Sequence, residues 1–112
     1  NPVYKVKVWD KGGNVTERMV DVSKVDTEGS DYIDMFAYSS HLSASGKCPG
    51  AQSAFIRAGA NQHGADNRTH DDLFGKKDWI SVLKDAMQTQ YDAGNLKEYL
   101  DYKQFWDFLD NK

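Results

Sequence analysis

The stretch "VYKVKVWDKGGNVTERMVDV", Val3 to Val22, decides the fold. Two runs rich in β-branched residues alternate in polarity on either side of a glycine pair, which is the pattern of a β-hairpin. A three-residue loop, Lys11-Gly12-Gly13, with one glycine at positive φ, pairs Trp9 with Val15, Lys7 with Glu17 and Tyr4 with Val20. A four-residue loop instead sets Lys7 opposite Arg18, a like-charge pair that destabilises. The first register is therefore expected. An isolated hairpin is marginal in water, so one of its faces needs a cover of helices.

The next segment, "DVSKVDTEGSDYIDMF", switches from strand to helix. Asp26 and Ser30 are both plausible N-caps, and Asp31 and Asp34 suit the positive end of a helix dipole. Ile33, Phe36, Ala37 and Ala44 fall near one face, which Met35 and Leu42 widen. The helix is expected from about Asp31 to Ala44, with Gly46 as its C′ stop. Pro49 suits the first turn of a second, short helix carrying Ala51, Ala54, Phe55 and Ala58 on its apolar face. "NQHGADNRTHDD", residues 61–72, reads as a polar surface loop. Asp78 caps a strongly periodic helix bearing Trp79, Ile80, Leu83, Ala86, Met87 and Tyr91, and Gly94 ends it. Asn95 and Glu98 have the spacing of a capping box at the head of the last helix, "LKEYLDYKQFWDFL". The link is short enough to make the last two helices an αα-hairpin. The expected fold class is α+β: an N-terminal β-hairpin (3–22) packed against three to four helices (27–110), the last two antiparallel, all in one domain.

The composition supports a real core. Of 112 residues, three are Trp, six Tyr and five Phe, and such rings bury large areas. The formal charge is −3. Lys/Arg minus Asp/Glu is 5 − 3 over residues 1–24, 1 − 4 over 25–47, 4 − 3 over 48–77 and 4 − 7 over 78–112. No segment is a basic stripe, so no nucleic-acid partner is expected. No polybasic patch addresses anionic lipid, and no apolar run is long enough for membrane insertion. The lone cysteine cannot form an internal disulfide. The chain opens "NPVYKV", with neither an initiator Met nor a signal peptide. A mature or trimmed form is the expectation.

Three groups are candidates for chemistry. Cys48, in "SGKCPGAQSAF", sits before a helix start and beside Lys47, both of which lower a thiol pKa. His41, His63 or His70 could serve it as base, with Cys48 and His41 the catalytic candidates of a cysteine-dependent hydrolase or transferase. The plainer reading is a small buried hydrophobe. His63, Asp66 and His70, with Asp71 and Asp72, are ligand-type residues in one segment. Their spacing matches neither a zinc nor a calcium site, and solvated turns account for them as well. No cofactor is called for. Tyr99, Tyr102, Phe105, Trp106 and Phe108 spread around more than one face of the last helix. They can serve the core or form a surface for a protein partner or for self-association. Asn14-Val-Thr16 and Asn67-Arg-Thr69 match the N-glycosylation triplet, which is common by chance.

The stretches "ERMVDVSKVDTEGSDYIDMFAYSSHLSASGK", "CPGAQSAF" and "QTQYDAGNLKEYLDYKQFWDFL" resemble an uncharacterised family of small bacterial proteins from Gram-positive anaerobes. The resemblance spans most of the chain. It implies a domain that closes a longer protein, and it favours the cell surface or secretion over the cytoplasm. It carries no activity and assigns no residue a role. The functional expectation is a non-catalytic interaction or structural module of a larger bacterial protein. The alternatives are the cysteine enzyme and a metal- or ligand-binding domain.

Overall fold

Strands β1 (Val3–Trp9) and β2 (Val15–Asp21) pair antiparallel in the expected register, with Trp9 opposite Val15, Lys7 opposite Glu17 and Tyr4 opposite Val20. The computed structural model describes residues 2–63 and 69–111. Asp10 and Asn14 close the hairpin loop through the Asp10 N–H and the Asn14 carbonyl, 3.0 Å apart. Gly13 takes φ +83°, where a side chain would be strained. The Asp10 carboxylate also accepts from the Gly12 and Asn14 amides, which ties the loop into one turn.

Alternation aims Tyr4, Val6 and Val8 of β1 and Thr16, Arg18 and Val20 of β2 at the helices. Val6 and Val20 are buried. Each contributes about 1.5–3 kcal/mol by leaving water. A 3₁₀ turn, Val22–Lys24, leads away from β2, with Asp21 accepting from the Ser23 amide.

Helices α1 (Tyr32–Ala44), α2 (Ala51–His63), α3 (His70–Phe74), α4 (Trp79–Asp92) and α5 (Leu96–Asp110) complete the described fold. α1 is central. It packs against both strands, α2 and α3, so it is buried on more than one face: Ile33, Met35, Ala37 and Ser39 are all inaccessible. Small residues on α2 (Ala51, Ala54 and Ala58) are buried as well, and they let the two backbones approach. Tyr32, Phe55 and Trp79 stack in sequence, with ring centroids 5.0 and 5.2 Å apart. The Trp79 indole N–H donates to the Ser30 carbonyl at 2.7 Å. Ser30 and Lys77 exchange backbone bonds beside it. This clamp fastens the segment entering α1 to the start of α4. α4 and α5 form the antiparallel pair expected from their short link, which turns through Gly94 at φ +79°.

Three local readings change. The N-cap of α1 is Asp31, which accepts from the Asp34 N–H, and not Asp26 or Ser30. The segment 61–72 is not one loop: α2 runs on to His63, and Thr69 and Asp72 form a reciprocal capping box for α3. That raises the described α-helices to five. The capping box expected at Asn95 does not form. The Asn95 amide donates instead to Gln90 Oε1, and Glu98 is drawn to Arg57 of α2. An ion pair across helices replaces the local bond.

Candidate functional site

The reversal between α1 and α2 determines what Cys48 can do. Gly46 at φ +76° turns the chain, and the Cys48 N–H donates to the Leu42 carbonyl at 3.1 Å. This bond draws the side chain inward until Cys48 is 8% exposed, while Lys47, Pro49 and Gly50 remain at the surface. Burial pushes the thiol up from its ordinary value, the opposite of what a nucleophile needs. The start of α2 is meanwhile served by α1: the Gln52 N–H donates to Ser43 Oγ at 3.0 Å and the Gln52 amide to Ser40 Oγ at 2.9 Å. His41 Nδ1 is joined to the Tyr4 hydroxyl at 3.3 Å, a link from helix to hairpin rather than to a thiol. Cys48 belongs to the core.

His41 nevertheless lines a cleft of about 370 Å³ between the base of the hairpin, the last turns of α1 and the end of α5. Val22, Val25, Leu42 and Phe108 supply apolar wall, and Lys47 stands at its edge. The metal candidates do not gather there. Asp66 and the His63 side chain lie outside the described residues. His70 is exposed, beside Asp71 at 4.0 Å and over the Phe74 ring at 4.6 Å. Asp72 is occupied in the α3 cap. Among the described residues no three His, Cys, Asp or Glu side chains are placed to hold a metal ion.

The aromatic residues of α5 divide. Tyr102 and Phe105 have no exposed surface and fill the core, so neither can meet a partner on the folded chain. Tyr99, Trp106 and Phe108 are half-buried against that core. The exposed apolar positions of this region are Leu96, Leu100 and Tyr91, the last edge-on to Tyr99 at 5.3 Å.

A second, equally exposed apolar surface lies on the hairpin. The outer face of the hairpin carries Val3, Trp9, Val15 and Met19, each at least half exposed. Lys7 Nζ lies 5.4 Å from the Trp9 ring centroid, and Lys5 pairs with Glu17 at 2.6 Å across the strands. The signal was in the alternation: Trp9 shares parity with Lys5 and Lys7, not with Val6 and Val8.

No family model, curated protein or solved structure matches this chain. Among the described residues no helix is long and apolar enough to cross a membrane.

Proposed function

We propose that this chain is a non-catalytic interaction or structural module of a larger bacterial protein, and that it engages a protein partner through the outer face of its hairpin. One observation carries the reading. On a sheet of two strands, Trp9 is 57% exposed, Val15 50% and Met19 61%. Scattered apolar residues are ordinary on a surface, but Trp9 and Val15 stand opposite each other at the hairpin tip and Met19 shares their face, three exposed apolar side chains on one narrow ribbon. Tryptophan is enriched among residues that dominate binding energy. Lys5, Lys7 and Glu17 lie on the same face between Met19 and the Trp9–Val15 pair, so apolar anchors alternate with charge on the proposed surface.

The test is a photo-crosslinking residue at position 19 of the full-length protein in its own cell, with position 84 on the exposed side of α4 as control. A discrete adduct from position 19 and none from position 84 is expected. Equal labelling from both, or none from position 19, contradicts the proposal.

A further inference from the structure

We infer that the cleft beside His41 binds a small apolar carboxylate, a ligand site separate from the hairpin face. Its volume, about 370 Å³, falls within the range of small-molecule pockets. The walls are apolar: Val22 and Leu42 are buried, and Val25 and Phe108 are partly exposed to the opening. The ionisable groups of opposite preference are absent from the lining. Lys47 and His41 are there, and no Asp or Glu is, in a chain with 17 acidic residues.

The surrounding contacts keep that character intact. Asp21, just outside the lining, is engaged by the Ser23 amide at 3.0 Å and hydroxyl at 2.6 Å. The last carbonyls of α1 would repel an anion if left bare. Three of the last four are engaged: Ser45 N–H donates to His41 O, Gly46 N–H to Ser43 O and Cys48 N–H to Leu42 O. The Tyr4 hydroxyl is joined to His41 Nδ1, which holds the ring in place beside the cleft. A carboxylate paired with the Lys47 ammonium, with its hydrocarbon against Val22 and Phe108, satisfies both halves of the cleft.

The test follows backbone amide NMR shifts during titration with hexanoate, hexan-1-ol and acetate at matched ionic strength. Hexanoate is expected to saturate shifts at residues 22–25 and 41–47, and to bind about tenfold more tightly than either comparison compound. Lys47→Gln, at an exposed site whose loss leaves the core intact, is expected to weaken hexanoate by about tenfold and leave hexanol unchanged. Equal binding of hexanoate and hexanol overturns the inference. So do unchanged hexanoate affinity in Lys47→Gln, shifts centred elsewhere, or no saturation.

Discussion

The Arg18 guanidinium grips the Asp31 carboxylate with two bonds, 2.9 and 2.6 Å long, and that same carboxylate caps α1 by accepting from the Asp34 N–H at 2.9 Å. One side chain therefore starts the central helix and anchors the hairpin to it. The Asp31 side chain is nearly buried, whereas that of Arg18 is about one-third exposed. The pair is thus asymmetric. Asp31→Ala removes the cap but leaves the part-exposed guanidinium paired with Asp34 at 3.0 Å, and is expected to cost about 1–2 kcal/mol. Arg18→Ala leaves the cap in place but strands the buried Asp31 carboxylate, and is expected to cost about 2–4 kcal/mol. Urea unfolding of both variants checks the order; an Arg18 variant less damaging than the Asp31 variant contradicts it.

Asp34 behaves differently with pH. Burial, and then the neighbouring Asp31 carboxylate, push its pKa up, against the pull of Arg18. A raised folded-state pKa means the fold holds this proton more tightly than the unfolded chain does. The associated stability is complete below the ordinary carboxylate range and is lost as pH rises through the folded pKa. Asp34→Asn lacks this loss. Its stability relative to the parent protein is expected to improve between pH 4 and pH 7, read from urea midpoints. A relative decline over that interval contradicts the assignment.

Two tryptophans offer a matched comparison. Trp79 Nε1 donates to Ser30 O inside the core. Trp106 Nε1 is buried and has no hydrogen-bond partner among the described residues. Replacing Trp79 by Phe removes one of two donors to Ser30 O, the Lys77 N–H remaining, and leaves a void in the core; it is expected to cost about 1–2 kcal/mol. Trp106→Phe removes an unsatisfied donor and is expected to cost less than about 0.5 kcal/mol, or to stabilise. Thermal and urea denaturation of the two variants decide it, and the reverse order contradicts the account.

Arg57 joins α2 to α5 by contacting both Glu98 and Asp101. Arg57→Ala is expected to cost about 1 kcal/mol at low ionic strength and less at high salt. Arg57→Lys restores only part, because an ammonium lacks the fork that spans two carboxylates. A salt-independent loss would instead mean that the contact of Arg57 with the Tyr102 ring, 5.8 Å from its centroid, carries the effect.

Much of the fold was legible because local chemistry and tertiary demand agreed. The hairpin register followed from the Lys7–Glu17 pairing and from the positive φ of Gly13, both local facts. Asp78, Gly46 and Gly94 punctuated the helices for the same reason. What failed was decided by distant residues. The proximity of Glu98 to Arg57, 41 positions away, overrode the Asn95 capping box. Cys48 had both sequence marks of an activated thiol, yet one bond to Leu42 turned it inward. Tyr102 and Phe105 were indistinguishable from Leu96 and Leu100 by residue type; α4 and α2 determined which were covered. The cleft beside His41 joins four separate parts of the chain, and no local pattern announces it.

If the chain works, as proposed, through the outer face of its hairpin and not through its thiol, that face is covered by a partner in the cell. Maleimide labelling of Met19→Cys tests both halves at once, with native Cys48 as the internal reference. In the isolated domain, position 19 is expected to label rapidly while Cys48 labels only after urea unfolding. In the full-length protein within its own cell, position 19 is expected to become protected. Rapid labelling of native Cys48, or undiminished labelling of position 19 in the cell, contradicts the account.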